Sequence, residues 1–163
     1  MLQWAVEVHN GPVAVPYPRG GDRNYHDSAF GDGMVCCHQK GSDVTIVTYG
    51  TLIEQALNAA ELLAQKGISA TVLRLLCVCP LPIEEICSYL LPGKPVVVLE
   101  ETNRTSGIGD SLSCEIRGRM GRVRVESINL GDAYVTHGSV QKLYEHYGLD
   151  PQSVANRVQE VLS

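Results

Sequence analysis

Two runs of β-branched residues constrain the fold of this chain more than any other feature. Residues 44–49 (VTIVTY) and 96–99 (VVVL) are apolar or β-branched at nearly every position, without the alternation of a half-exposed strand. Continuous runs of this kind are typical of strands buried on both faces, as in a parallel sheet covered by helices. Further strands are predicted at residues 69–76 and 123–128, with helical spacing between the strands.

The predicted helices have recognisable ends. Apolar residues keep helical spacing up to Lys66, where Gly67 ends the first helix. Shorter helices are expected at residues 80–90 and 107–120, and two more follow in the last third of the chain, after Ser139 and from Pro151. Strands that alternate with helices through short connections predict an α/β fold, with a parallel sheet between two layers of helices.

The first 43 residues follow a different pattern. Residues 13–17 predict a short strand that ends early at Pro16. Residues 18–43 contain five glycines and many small polar residues, and a loop of about 25 residues is more typical of a connection between domains. We therefore expect residues 1–17 to be the end of a preceding domain, 18–43 to be a linker and 44–163 to be the main domain.

Composition narrows the class of protein. The chain is 44% hydrophobic and 19% charged, as globular domains are, and no apolar run reaches the roughly 20 residues that span a bilayer. A formal net charge of -5 argues against nucleic acid or acidic membranes as partners. Six cysteines without the spacing of a small disulfide scaffold indicate reduced thiols and a cytoplasmic location.

Ligands of parallel α/β sheets bind beyond the carboxyl ends of the strands. Those ends are predicted at Gly50–Thr51, Leu76–Cys77 and Glu100–Glu101. Because the two adjacent carboxylates would repel a phosphate, we do not expect a nucleotide site there. Gly107 and Gly109 resemble half of a dinucleotide-binding fingerprint, but Leu112 replaces the third glycine, and a plain helix start explains the pair.

No metal or cofactor site is expected within this chain. The cysteines at residues 36–37 and 77–79 lack the spacing of zinc ligands. Residues 31–33 (GDG) match the start of the magnesium–diphosphate motif of thiamine enzymes. That motif requires a later pair of asparagines, and the corresponding window contains only Asn58. We therefore interpret this GDG as part of a loop.

Two single residues remain as candidates for contact with an anion. His137 precedes a predicted helix start, where an imidazole can meet an anion, cap a backbone group or make a structural hydrogen bond. Arg19 follows a rigid Tyr-Pro turn, and its guanidinium is suited to a bidentate hold on phosphate. An ordinary surface arginine is the alternative.

Five segments along the whole chain, in order, match the motifs of one enzyme family. GPVAVPYPRG (11–20) matches G-P-x-A-x-R-Y-P-R-G, and IVTYGTLIE (46–54) matches a strand–FGT–helix start. The other matches are VCPL (78–81) with V-K-P-L, VLEE and GIG (98–109) with V-x-E-E…G-G-x-G, and HGS…YGLD (137–150) with H-G-S/T…L-G-L-D. Each match is modest alone, but together they make the chain specifically resemble the 1-deoxy-D-xylulose-5-phosphate synthase family. Pro16, Leu76, Cys79 and Pro82 depart from the family's arginine, arginine, lysine and aspartate, and we expect them to serve packing or domain contacts.

The resemblance implies a carboxy-terminal domain of the kind shared with transketolases, with a three-layer αβα fold and a mostly parallel five-stranded sheet. It implies that the whole enzyme joins pyruvate to glyceraldehyde 3-phosphate on thiamine diphosphate and magnesium, for isoprenoid precursor synthesis. The cofactor would be held by preceding domains of the same enzyme, so this chain would support a homodimer and be inactive alone. By the motif, Arg19 would bind the substrate phosphate.

Two other interpretations stay open. The chain is alternatively the carboxy-terminal domain of a transketolase or of a 2-oxoacid dehydrogenase β subunit, although the YPRG turn and the YGLD segment favour the synthase family. A free-standing dimerisation module without catalysis is the non-enzyme alternative.

Overall fold

The computed structural model describes residues 2–18 and 33–163. Its centre is a five-stranded sheet in the order β1-β3-β2-β4-β5. The strands are β1 (Val35–Gln39), β2 (Val44–Tyr49), β3 (Ala70–Leu75), β4 (Val96–Leu99) and β5 (Val125–Ile128). Strands β2 to β5 run parallel to one another, and β1 pairs with β3 in the antiparallel direction.

The helices lie close to their predicted positions. Those described are α1 (Leu2–Glu7), α2 (Ile53–Ala64), α3 (Ile83–Tyr89), α4 (Gly109–Met120), α5 (Val140–Tyr147) and α6 (Pro151–Leu162). A 3₁₀ turn, Gly50–Leu52, precedes α2. The carboxylate of Asp150 caps α6 by accepting hydrogen bonds from the amides of Gln152 and Ser153, as expected of an aspartate at this position.

The sheet separates two apolar cores. On one face, α2 and α6 pack against strand residues that include Ile46 and Val72. On the other face, α3 and α4 cover residues that include Val47 and Leu73. Successive residues of a strand enter different cores because their side chains point to opposite faces of the sheet. The predicted α/β fold, with three layers and a mostly parallel five-stranded sheet, is confirmed.

The strand predicted at residues 13–17 was wrong. These residues form neither helix nor strand, and α1 before them contains no buried residue. Pro16 lacks the amide hydrogen that a strand would need, and no other described strand pairs with this segment. The assignment of residues 1–17 to a preceding domain stays a prediction.

The linker predicted at residues 18–43 was wrong in its last part, because Val35–Gln39 forms β1. Glu85 of α3 holds the start of this strand by accepting hydrogen bonds from the amides of Met34 (2.8 Å) and Val35 (3.1 Å). Only the first two residues of β1 are buried, so the strand lacks the continuous apolar run that identified β2 and β4. Residues 19–32 lie outside the described residues.

Candidate functional site at the carboxyl edge of the sheet

The strand order identifies a crevice where a ligand would be expected. From β2 the chain moves to β3 on one side, and α3 then leads it back to β4 on the other side of β2. This reversal places the carboxyl ends of β2 and β4 side by side, at a topological switch point of the kind where open α/β sheets bind ligands. Tyr49 ends β2, and Glu100 directly follows β4.

The side chain of Glu100 occupies this crevice. It is only 1% exposed. Its Oε2 accepts a hydrogen bond of 2.8 Å from the amide of Ile108, and its Oε1 accepts one of 3.3 Å from the amide of Gly109. These amides lie at the start of α4, where free N–H groups and the helix dipole attract an anion. Glu100 therefore takes the position that a phosphate would need.

A tyrosine closes the crevice from the side of β2. The hydroxyl of Tyr49 donates a hydrogen bond of 3.2 Å to Oε2 of Glu100. Burial raises the pKa of Tyr49 to about 12, and the negative charge of Glu100 contributes to the increase. The phenol is therefore protonated at neutral pH and acts as a donor to the carboxylate.

Two glycines let the carboxylate approach the turn. A methyl group at Gly107 would overlap the carboxylate of Glu100. A methyl group at Gly109 would overlap the hydroxyl of Ser127 on β5 and lie 3.0 Å from Oε1 of Glu100. The glycine pair thus provides space for an internal carboxylate. This geometry gives a physical reason why no nucleotide should bind in the crevice. The absence of a nucleotide site stays a prediction.

Glu101 differs from Glu100 in being exposed. Its Oε2 accepts a hydrogen bond of 3.1 Å from the hydroxyl of Tyr144 on α5. The same hydroxyl lies 3.5 Å from the hydroxyl of Thr51 in the 3₁₀ turn after β2. These contacts join α5 to the ends of β2 and β4, and so stabilise the rim of the crevice.

Two open clefts are further features of the described surface. One, of about 510 Å³, is bordered by β5 and α6 and includes Arg104 and Arg157. Arg104 pairs with Asp132 at 3.3 Å and Arg157 with Glu160 at 2.7 Å, which lowers the attraction of both guanidiniums for an added anion. The other cleft, of about 400 Å³, lies between residues 78–83 and α4.

Of the two residues that the sequence predicted for contact with anions, the structure describes only His137. Arg19 lies outside the described residues. His137 is exposed in the segment before α5, and it makes no hydrogen bond within residues 2–18 and 33–163. Its predicted structural hydrogen bond is therefore absent from that part of the chain.

The described residues offer no cluster suited to a metal ion. Among them, no group of three His, Cys, Asp or Glu side chains is arranged to hold one. The six cysteines are free thiols, two of which, Cys79 and Cys114, are exposed. No described helix has the length and apolarity needed to cross a membrane.

Tyr49 is the site residue that the sequence analysis missed. It stands at the last position of a buried strand and is followed by Gly50, which has a positive φ of 64°. An aromatic residue with a polar tip at such a position can pack into the core and still reach the crevice. The position of this tyrosine at the end of a buried strand was the feature of the sequence that could have identified it as a site residue.

The matching protein family is the transketolase C-terminal domain, whose family model covers residues 33–154. The chain belongs to this family. Among curated relatives, the 1-deoxy-D-xylulose-5-phosphate synthase of Desulforudis audaxviator is 35% identical over an alignment of 156 positions that covers 91% of this chain and 24% of the relative. That of Chlorobium phaeovibrioides is 32% identical over an alignment of 164 positions that covers 97% of this chain and 26% of the relative. The resemblance to the 1-deoxy-D-xylulose-5-phosphate synthase family, which the sequence motifs indicated, is confirmed. The chain spans about a quarter of the length of these relatives.

Solved structures agree on the fold. A chain described as a split gene transketolase, inactive beta4 tetramer, superposes with a TM-score of 0.71 at 28% identity, covering 78% of this chain and 42% of that chain. A transketolase of Pichia stipitis superposes with a TM-score of 0.60 at 20% identity, covering 80% of this chain and 18% of that one. At this lower identity the second likeness shows the fold alone.

Proposed function

We propose that this chain is the carboxy-terminal domain of a thiamine-diphosphate-dependent 1-deoxy-D-xylulose-5-phosphate synthase. The whole enzyme would join pyruvate to glyceraldehyde 3-phosphate with loss of carbon dioxide, for isoprenoid precursor synthesis. In it, this domain supports a homodimer and has no synthase activity by itself. The names of the curated relatives and the ordered motifs along the chain support this proposal.

The buried carboxylate of Glu100 is the observation that best supports a structural role for this domain, as opposed to a role in binding the cofactor. The crevice at the switch point is filled by the chain's own anion, and a diphosphate entering it would meet that negative charge at low solvent exposure. The described residues therefore do not fit thiamine diphosphate at this crevice. The cofactor and its magnesium would be held by other domains of the enzyme.

Arg19 is the residue through which we propose that this chain contacts substrate. Its guanidinium, in the YPRG segment, would hold the phosphate of glyceraldehyde 3-phosphate by paired hydrogen bonds. In the assembled enzyme, Arg19→Ala should raise the KM for glyceraldehyde 3-phosphate by about tenfold or more and leave that for pyruvate unchanged. Equal losses for both substrates would contradict this role.

An activity assay of the isolated chain tests the main proposal. The chain is mixed with pyruvate, glyceraldehyde 3-phosphate, thiamine diphosphate and magnesium, and the release of carbon dioxide is measured. A full-length synthase from one of the curated relatives is the positive control in the same mixture. We expect no turnover by this chain and no heat of coenzyme binding in calorimetry. Turnover, or tight uptake of thiamine diphosphate, would overturn the proposal.

A second candidate is a subunit of a split transketolase. The structural neighbour described as a split gene transketolase, inactive beta4 tetramer, favours it, because that protein is an assembly of one kind of chain without activity. The donor substrate separates the two candidates once the chain is combined with its catalytic partner. Pyruvate with release of carbon dioxide indicates the synthase, whereas transfer from a ketose phosphate without that release indicates a transketolase.

A further inference from the structure

Two cysteines lie two positions apart in the segment between β3 and α3. Cys77 is half-buried, Cys79 is exposed, and both are free thiols. Cys79 stands where the V-K-P-L motif has lysine, so the pair is a property of this chain and not of the motif. Two thiols this close in sequence can join in a disulfide if the chain between them bends enough to bring their Cα atoms close together.

The backbone folds back on Cys77 in this segment. The thiol of Cys77 donates hydrogen bonds to the carbonyl of Cys79, at 3.5 Å, and to that of Pro80, at 3.4 Å. In a fully extended chain, residues 77 and 80 would lie roughly 10 Å apart. The bend therefore brings the sulfur of Cys77 to the backbone of Cys79, which is the arrangement that a disulfide between the two residues requires.

Both ends of the bend are fixed to the domain. Before it, the amide of Leu76 donates to the carbonyl of Met34 at 2.8 Å. After it, the amide of Ile86 donates to the carbonyl of Pro82 at 2.9 Å, at the start of α3. Because the folded domain already holds the two cysteines near each other, little conformational entropy is lost when their sulfurs join.

The surface around Cys79 is open to a small molecule. Cys79 lines the cleft of about 400 Å³ that lies between residues 78–83 and α4. Pro80, Leu81 and Ile108 contribute apolar surface to the same cleft. This volume is within the range of sites that hold small molecules. A low-molecular-weight disulfide can therefore reach the sulfur of Cys79.

The other four cysteines lack this combination of exposure and a neighbouring thiol. Cys36 is buried. Burial raises the pKa of Cys37 and of Cys87, which lowers the fraction of each that is reactive thiolate at neutral pH. Cys114 is exposed on α4, but it is far from any other cysteine in the sequence. Exposure and a nearby second thiol therefore coincide at Cys79, as they do in cysteines that respond to oxidants.

We propose that Cys79 is a site of exchange with low-molecular-weight disulfides (RSSR) and that Cys77 is its resolving thiol. The thiolate of Cys79 attacks one sulfur of RSSR, which forms a mixed disulfide and releases RS⁻. Cys77 then loses its proton, and its thiolate attacks the sulfur of Cys79 and releases the second RS⁻. The two released thiolates take up the two protons that the cysteines lose. The pair is thus oxidised to one disulfide, RSSR is reduced to two RSH, and the exchange is independent of the proposed synthase activity.

Alkylation and mass spectrometry of the intact chain test this inference. The reduced chain is equilibrated with increasing glutathione disulfide at a fixed submillimolar concentration of glutathione, and is then alkylated with N-ethylmaleimide. The mass of the chain gives the number of free thiols and of bound glutathione groups. Trypsin assigns each modification to a peptide, because Arg104 separates the peptide of the pair from that of Cys114.

Four serine variants identify the thiols that react. Cys77→Ser and Cys79→Ser each remove one member of the pair, and Cys87→Ser is included because Cys87 shares their tryptic peptide. Cys114→Ser is the matched control at an exposed position. Serine keeps a hydrogen-bond donor at each position. Thermal unfolding of the reduced variants, followed by circular dichroism, shows whether each is folded.

We expect the unmodified chain to lose two thiols without gaining glutathione. This should occur at a glutathione disulfide concentration at least about tenfold below that which modifies Cys114, because the second step is intramolecular. Cys77→Ser should stop with one glutathione on Cys79, and Cys79→Ser should form no disulfide in this peptide. The variants Cys87→Ser and Cys114→Ser should form the disulfide as the unmodified chain does.

Three results would overturn the inference. The first is a chain that keeps six free thiols at every concentration, or whose pair is oxidised no more readily than Cys114. The second is glutathione addition to Cys79 without a disulfide to Cys77 in the unmodified chain. The third is a disulfide that Cys87→Ser abolishes, since Cys87 and not the neighbouring thiol would then be the resolving residue.

Discussion

The hydroxyl of Tyr49 donates a hydrogen bond of 3.2 Å to the carboxylate of Glu100 across the point where the strand order reverses. The bond connects the carboxyl ends of the neighbouring parallel strands β2 and β4. With the amides of Ile108 and Gly109, it gives the carboxylate three donors in a position that is 1% exposed. A buried charge is tolerated when it is hydrogen-bonded in this way, so the crevice is stable without a ligand.

Replacing Tyr49 with phenylalanine should reduce the loss of stability at high pH. The ordinary pKa of tyrosine is 10.0, and burial together with Glu100 raises that of Tyr49 to about 12 in the folded domain. Between these values the folded state keeps a proton that the unfolded state has lost. The contribution of Tyr49 is therefore fully present below pH 10 and is lost as the pH rises toward 12.

Urea unfolding at a series of pH values up to about 11 measures this effect. The free energy of unfolding should fall less steeply above pH 10 in Tyr49→Phe than in the unmodified chain. The control is Tyr134→Phe, since Tyr134 is fully exposed and its substitution should leave the slope unchanged. Identical slopes for all three proteins would show that Tyr49 titrates normally.

Removing the carboxylate of Glu100 should destabilise the domain strongly. In Glu100→Ala, the amides of Ile108 and Gly109 and the hydroxyl of Tyr49 lose a shared acceptor, at a total cost of roughly 3–5 kcal/mol. Glu100→Gln keeps one acceptor oxygen and should cost less. Glu101→Ala is the control, because Glu101 is exposed and its loss should cost about 1 kcal/mol or less. Equal unfolding free energies for the two alanine variants would refute this account.

The buried parallel strands could be predicted because their signal is local. Residues 44–49 and 96–99 are apolar or β-branched throughout, and that composition alone specifies burial on both faces. Strand β1 gives no such signal, since it is a partly exposed edge strand. Its place depends on β3, which pairs with it about 35 residues later in the chain.

The candidate site was predictable only in part for a similar reason. Glu100 could be identified because an acidic residue directly follows a buried strand. Its contact with Tyr49 joins residues 51 positions apart, and the contact of Glu85 with Met34 also spans 51 positions. Contacts of this length depend on the order of strands in the sheet, which the local pattern does not contain.

Glu85 should determine whether β1 stays attached to the sheet. Its carboxylate is the acceptor for the amides of Met34 and Val35, so Glu85→Ala should destabilise the domain by about 1–3 kcal/mol. The neighbouring Glu84 is exposed, and Glu84→Ala serves as the matched control. Hydrogen exchange followed by mass spectrometry should show faster exchange of residues 34–39 in the Glu85 variant only. Unchanged protection of this strand would mean that its pairing with β3 suffices to hold it.

Gly41 should resist substitution because of a close approach between backbones. In the turn between β1 and β2, a methyl group on Gly41 would overlap the backbone of Ala70, with its nitrogen and oxygen both 2.6 Å away. The amide of Gly41 also donates to the hydroxyl of Thr71 at 2.9 Å, which fixes the turn against β3. Since backbone atoms of a central strand cannot move aside cheaply, Gly41→Ala should cost about 1–3 kcal/mol.

Gly118 is the matched position at which the same substitution should have the opposite effect. It is exposed in α4, and no atom lies within 4 Å of the place that a methyl group would take. Alanine loses less backbone entropy than glycine when a helix forms, so Gly118→Ala should stabilise the domain by roughly 0.5–1 kcal/mol. Thermal unfolding of the two variants should therefore shift in opposite directions from the unmodified chain. A shift of the same sign in both would indicate that backbone freedom, and not the contact with Ala70, determines the effect at Gly41.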